Sequence, residues 1–463
     1  MEGYGILTLL PVLLILVFAV LTRRTLFAMT IGLCTAALVL GGFSGFLDSL
    51  FGSLYGGMTN ETLQWLILVI AVFGIMIALF ERSGAVVEFG KWTSKFVKTG
   101  KQSLVATFIL GIIVFIDDYL NNLAVGTTMK TITDEHKLPR TQLAYVVNSV
   151  AAPVCILIPL SSWAVYFGGL FESNDILVNG SGIGAYIHAI PFVFYGWIAV
   201  IVALLQLLGV IPKIGMIKRD TKRALETGDL FPVGTDVPAV VEEEDKAIES
   251  AVEPAAQKKP HPWNFLIPLA VMIIVTLLTE IDVLIGSIAG TFVAFLMYLI
   301  GRKLKFKELL TACFDGVINM GFVLILCVLA FSVQFANVEL GLADYVIGLV
   351  LPIMKGAFLP MVVFLFCAIY AYATGCFWDL AVIILPIVIP LAQAMGVDPI
   401  LAGAAVFSGA AFGSNTCLYG DGVILCSQAC GIKAIDLMMT TLPYAIISGG
   451  ISAVLYLVAG FVF

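Results

Sequence analysis

Long apolar runs separated by short polar intervals dominate this chain, and each run is near the length that decides whether a helix can cross a bilayer. A crossing needs about 20 apolar residues at 1.5 Å each. That length predicts crossing helices near 5–21, 25–42, 63–80, 141–165 and 184–211, and again near 263–280, 283–301, 318–336, 400–420 and 436–461. Two further runs, 103–129 and 357–395, differ in kind. Asp117-Asp118-Tyr119 interrupts one and Thr374-Gly375-Cys376 the other, leaving arms too short to cross alone. Each therefore reads as a re-entrant hairpin that dips in and returns.

The order of elements recurs. Leu10-Pro11-Val12 finds its counterpart in Ile267-Pro268-Leu269, Gly32 in Gly290, Asn122-Leu123-Ala124-Val125 in Asp379-Leu380-Ala381-Val382, and Val146-Val147 in Val406-Phe407, at offsets of 257, 258, 257 and 260. The expected fold class is therefore an all-α polytopic membrane protein of two repeats, each with about five crossings plus one re-entrant hairpin. Five is odd, so the second repeat must be inverted relative to the first, an arrangement many carriers use. The expected domains are a first transmembrane repeat over 1–212, a cytoplasmic linker over 213–262 and a second, inverted repeat over 263–463.

Charge supports that layout. Treating both hairpins as re-entrant puts 23 of the 24 lysines and arginines on the cytoplasmic side, Lys355 excepted, as the positive-inside rule requires. The 213–262 stretch holds eight basic and ten acidic residues with the run Glu242-Glu243-Glu244-Asp245, a composition that favours a solvated, partly disordered tether.

With 60% apolar and 12% charged residues and a mean hydropathy of +1.07, the chain lies far from soluble domains, which average about 25% charged. A multi-pass protein of the plasma (inner) membrane follows, with the lipid bilayer as its first partner. The stretch Gly5 to Leu21 lacks a basic lead and reads as a retained helix rather than a cleaved signal. No basic patch suits nucleic acid, and no Gly-Lys-Ser/Thr loop suits ATP. The nine cysteines fall almost wholly within apolar runs and read as packing residues. The histidines, His136, His188 and His261, are scattered. No histidine is expected at depth beside a serine or cysteine, so a membrane-embedded hydrolase is disfavoured and the chain is not expected to be an enzyme.

The chemistry lies in the polar residues at membrane depth. An ionised side chain at the bilayer centre costs at least about 2.5 kcal/mol, so such groups usually pair, bind cations or carry protons. Asp117, Asp118 and Asp379 are in that position with no lysine or arginine expected at their depth, which points to a mobile counter-ion, Na+ or H+. Asn122 follows Asp118 by one helical turn, and Tyr119 sits beside the pair. Two prolines, Pro153 and Pro159, break the span that carries Asn148, Ser149, Ser161 and Ser162, freeing carbonyls that are tolerated only against a cavity or an ion. The matching later span carries Ser414, Asn415, Thr416 and Asp421 among glycines.

Phe115 to Met129, Ala151 to Cys155 and Pro159 to Trp163 together resemble the NhaC-type sodium/proton antiporters, a family that looks related to the broader ion transporter superfamily. The resemblance implies inverted repeats, broken helices and alternating access, with Asp117, Asp118, Asn122, Ser161 and Ser162 as ion or substrate contacts. Where family members commonly read FGDHCSPISD this chain has Phe412 to Asp421; Asp421 keeps the final acid, while Ser414 stands where an acid is usual. The expected function is secondary active transport, cation-coupled antiport of the Na+/H+ type, with Na+ and H+ as coupling ions and no other cofactor. The Na+ site is expected at Asp118, Asn122, Ser161 and Asn415. The alternative is Na+- or H+-coupled transport of a small carboxylate or amino acid, with Trp378, Tyr119 and Ser414 shaping the pocket; Thr374 is a further expected substrate or ion contact. A small cation, a small organic solute and a second copy of the chain are the candidate partners.

Overall fold

The computed structural model describes residues 4–22, 24–95, 97–232, 261–279, 282–375, 377–418 and 420–463, and among them it contains helices and no strand. In the first half these are α1 (Leu10–Thr22), α2 (Thr25–Gly41), α3 (Phe46–Met58), α4 (Glu61–Ser83), α5 (Ala85–Ser94), α6 (Gly100–Ile113), α7 (Asp118–Glu135), α8 (Arg140–Cys155), α9 (Ser162–Ser173), α10 (Gly182–Ala189), α11 (Phe194–Leu208) and α12 (Gly215–Thr227). In the second they are α13 (Trp263–Leu278), α14 (Val283–Ile300), α15 (Phe306–Asn319), α16 (Gly321–Leu340), α17 (Leu342–Val350), α18 (Leu359–Thr374), α19 (Phe377–Ala394), α20 (Pro399–Thr416), α21 (Asp421–Cys430) and α22 (Ala434–Val462). Among the described residues six segments are long and apolar enough to cross a bilayer, and α10 with α11, bent by 50° at Val193, makes a seventh if the pair is counted as one span.

Each broken element ends for a local reason. Asp117 accepts hydrogen bonds from the amides of Tyr119 (2.9 Å) and Leu120 (3.2 Å), capping α7 and stopping it from continuing α6. The 14 residues of α6 rise only about 21 Å, short of a roughly 30 Å hydrocarbon core. The expected single span 141–165 is divided: α8 stops at Cys155 and α9 restarts at Ser162, whose preceding residue Ser161 caps it by accepting the Ala164 amide at 3.1 Å. Pro159 lies in that gap. Gly375, at φ 74°, closes α18 in the left-handed conformation that only glycine adopts at little cost, and α20 gives way to α21 across 417–420.

The short helices α3, α5, α15 and α17 have no counterpart in the hydropathy reading. Their charges and small residues, as in α15 with Lys307, Glu308 and Asp315, keep them below the crossing threshold while one face still packs. The tether expected over 213–262 also begins as structure. Ile217, Asp220 and Ala224 of α12 are buried, with Asp220 accepting the Thr141 hydroxyl at 3.1 Å. Lys213 donates to Gln142 at 2.8 Å, and partial burial holds its ammonium below the usual lysine range. Arg140 stacks 4.3 Å from the Phe231 ring centroid. The acidic run at 242–245 lies outside the described residues.

Helix pairings recur between the halves. α1 packs on α2 and α13 on α14; α4 packs on α14 and α15, and α16 on α2 and α3. Glycines permit the closest approaches: a Cβ on Gly74 would strike the Gly316 carbonyl, and one on Gly57 would strike the backbone of Phe331 and Ser332. α7 packs on α8 and α21, and α19 on α20 and α9. The long helices α4 and α16 both end on a left-handed glycine, Gly84 (φ 65°) and Gly341 (φ 70°).

Candidate functional site

The four breaks in the helices bring four helix starts together. Ser162, at the start of α9, donates its hydroxyl to Asp117 at 2.8 Å, and the adjacent Trp163 donates its indole N–H to Asp118 at 2.8 Å. Tyr119, in the first turn of α7, accepts the Trp378 indole N–H from the start of α19 at 3.2 Å and donates its hydroxyl to Asp421 at the start of α21 at 3.3 Å. Side-chain hydrogen bonds thus link the N-terminus of α7 to those of α9, α19 and α21. Their unpaired amides and partial positive charges suit the acids placed there.

The loops at the breaks satisfy each other's backbone. The Ser162 amide donates to the Ile116 carbonyl at 2.8 Å, the Cys155 thiol donates to the Phe115 carbonyl at 3.1 Å, and the Asn121 side chain donates to the carbonyls of Gly111 (2.6 Å) and Val114 (2.9 Å). Such pairing is what makes irregular backbone tolerable inside a membrane protein.

The two adjacent acids are not equivalent. Asp117, 2% exposed, receives two amides and a hydroxyl. Asp118 is wholly buried; Oδ1 takes the Trp163 indole while Oδ2 has no partner. Among the described residues no lysine or arginine pairs with Asp117, Asp118 or Asp421. Further unpartnered buried oxygens sit on Asn122, Ser414 and Asn415. The Asn122 amide nitrogen and the Ser414 hydroxyl both approach Gly422, 3.5 and 3.4 Å from where its Cβ would stand.

The other sequence-nominated residues are spread around this centre. Asn148 bridges to the Asn415 carbonyl (2.8 Å) and Thr441 (3.2 Å), and the Asn415 side-chain nitrogen donates to Tyr195 at 3.4 Å. Ser149 is buried beside the Tyr145 hydroxyl. The Ser161 hydroxyl, besides capping α9, donates to the Cys155 carbonyl at 2.6 Å. Thr374 and Thr416 turn back onto their own helices, donating to Tyr370 (2.8 Å) and Phe412 (2.6 Å). Asp421 is exposed, unlike the aspartate pair. The Asp379 side chain lies outside the described residues.

Sequence reasoning gave no role to Trp163, Tyr166 or Phe377. Trp163 stacks on Phe377 at 5.6 Å with planes 8° apart and lies 4.9 Å from Trp378, while the Tyr166 hydroxyl donates to the Trp378 carbonyl at 2.9 Å. The available signal for Trp163 and Tyr166 was the polar tip of the ring, since a buried indole or phenol needs a partner; Phe377 carries no such signal. Beside this aromatic group a narrow cleft with a cavity volume of about 30 Å³ reaches Asp117, Tyr119, Ser162 and Trp378, walled by Val69, Ile70, Phe73 and Ile77 of α4 and by Met320 and Val323.

The architecture is shared with solved transporters. The MtrF protein of Neisseria gonorrhoeae, described as one of a class of antimetabolite efflux pumps, aligns over 97% of this chain and 94% of its own, with a TM-score of 0.61 and 15% identity. The YdaH transporter of Alcanivorax borkumensis, described as having an unusual topology, aligns over 97% and 98%, with a TM-score of 0.58 and 15% identity. An uncharacterised protein of Haemophilus influenzae is 25% identical over 98% of this chain and 91% of its own length. The Na+/H+ antiporter family matches residues 154–461, so this chain is a member of that family, a multi-pass membrane transporter rather than an enzyme.

Proposed function

We propose that this protein exchanges Na+ for H+ by alternating access, with Asp118 as the charge that alternately holds the two ions. The observation that carries the reading is Asp118 itself: fully buried, with one oxygen held by Trp163 and the other free. A carboxylate left so is too costly to keep ionised without a counter-charge. Either a proton or a Na+ supplies it, and because both use the same oxygen they compete. Asn122, Ser414 and Asn415 offer neutral hard oxygens that suit Na+. In contrast, Ser161 is engaged on both sides of its hydroxyl, so of the expected Na+ ligands it is the least ready. Asp117, already holding three donors, positions the start of α7 rather than waiting for an ion.

Two inverted repeats joined by the segment around α12 would give this site its two-sided access. That layout draws support from the recurrent helix pairings, from the reciprocal approaches at Gly74 and Gly57, and from the 257-residue offset between Gly84 and Gly341. It makes α6–α7 and α18–α19 the re-entrant hairpins, and the inner bacterial membrane the natural setting.

A second reading has its own observation, the aromatic cluster of Trp163, Phe377 and Trp378 beside an apolar-walled cleft. Such a wall with a few placed polar groups suits a small organic solute, and the fold relative MtrF is an antimetabolite efflux pump. Calorimetry on purified protein separates the two. Na+ binding that weakens as pH falls, with no heat from a panel of carboxylates and amino acids, is expected; one organic ligand whose binding requires Na+ would overturn pure ion exchange.

A further inference from the structure

The wall of the cleft over Asp117 continues beyond its last lining residue. Ile70, Phe73 and Ile77 of α4 face the cleft. The 100° step of an α-helix brings position 81 to within about 20° of Ile70 and about 40° of Ile77, roughly 6 Å further along the axis. That position is Glu81, which is exposed. It nevertheless lies close enough to Asp117 for the two carboxylates to repel. The neighbouring charges offset each other, because Arg82 pairs with Asp315 of α15, and among the described residues no cation pairs with Glu81. One residue is thus at once exposed, in line with the cleft wall and close to Asp117.

We propose that Glu81 is the entry residue of the transport path, an exposed carboxylate that collects monovalent cations at the mouth of the cleft and passes them toward Asp117 and Asp118. The inference rests on the proposed Na+/H+ exchange. It also fixes which mouth: α4 ends here beside Arg82, and the basic loop carrying Lys91, Lys95, Lys98 and Lys101 follows, so Glu81 serves the cytoplasmic side. Negative charge at the mouth of a low-dielectric cleft raises the local cation concentration and the rate of capture, an effect that salt screens over about 10 Å at 0.1 M. It should act on capture and leave the later exchange steps alone.

The test is Na+-driven proton flux in proteoliposomes of known orientation for the wild type, Glu81→Gln and Glu81→Asp. With Na+ presented on the Arg82 side at low ionic strength, Glu81→Gln should raise KM for Na+ roughly three- to tenfold while kcat stays within about twofold of wild type. Added choline chloride should shrink the difference, and Glu81→Asp should restore most of it. An unchanged KM in Glu81→Gln, beside a wild type that transports, would overturn the entry role alone. A fall in kcat that Glu81→Asp does not rescue would reassign the residue to folding and equally overturn it. A wild type with no Na+-dependent flux would remove the proposed exchange and this inference together.

Discussion

Trp163→Phe removes one hydrogen bond while leaving an aromatic ring to stack on Phe377, and so isolates what the indole N–H does for Asp118. The bond is 2.8 Å long, both residues are fully buried, and the second Asp118 oxygen has no partner. A hydrogen bond to a charged group contributes about 1.5–3 kcal/mol. Its loss leaves the carboxylate without any side-chain donor, so without Na+ the apparent melting temperature should fall by about 2–5 °C for a chain this long. Added Na+ should recover more of the loss than it adds to the wild type, because the ion is then the only partner of the carboxylate and ligand binding stabilises by mass action. Phenylalanine is also smaller than tryptophan, and a double-mutant cycle separates that packing effect: in an Asp118→Asn background the same change should cost measurably less. The measurement is thermal unfolding of the four proteins in detergent, with and without saturating Na+. Equal costs of Trp163→Phe in both backgrounds, or no added Na+ rescue, would refute the coupling between this indole and the proposed ion-binding carboxylate.

Two further outcomes test the frame that holds the site. Gly74→Ala should destabilise the α4–α15 contact by about 1–3 kcal/mol, since its methyl would meet the Gly316 backbone, whereas Gly450→Ala, with open space around it, should be neutral or better in the same melting assay. Glu88→Gln should cost about 3 kcal/mol, because Glu88 is 2% exposed and accepts from both Lys303 (2.5 Å) and Asn264 (2.8 Å); adding Lys303→Gln should return at least half of that loss, and no recovery would contradict the ion-pair account.

Much of the fold was legible because a bilayer imposes a length, and helices such as α4 and α22 advertise themselves through unbroken apolar runs. The helix break at Asp117 was legible too, since Asp117-Asp118 inside an apolar stretch has few explanations. Short helices were not. The charges of α15 and the glycines of α3 hide helices that exist only because a neighbour packs against one face, which is tertiary context a hydropathy window does not contain. At the site, sequence could nominate Asp118, Asn122, Ser414 and Asn415 as oxygen donors, but not distinguish them from Ser161, Thr374 and Thr416. All seven carry polar oxygens near breaks, and only the fold tells which oxygens cap, which turn back on their own helix and which are left open. The role of Trp163 went unread because an indole in an apolar span usually reads as packing, although its N–H is a donor that burial obliges to find a partner.

The most direct test of the central claim is the proton flux that a Na+ gradient drives through the reconstituted protein, compared between the wild type, Asp118→Asn and Asp117→Asn. Wild-type liposomes carrying a pH-sensitive dye inside should change internal pH within seconds of a Na+ jump. Asp118→Asn, which keeps the shape but can hold neither ion by charge, should abolish the response while remaining folded in the melting assay. Asp117→Asn, which loses a cap rather than an open ion site, should retain a reduced response. Full wild-type flux in Asp118→Asn would contradict the account.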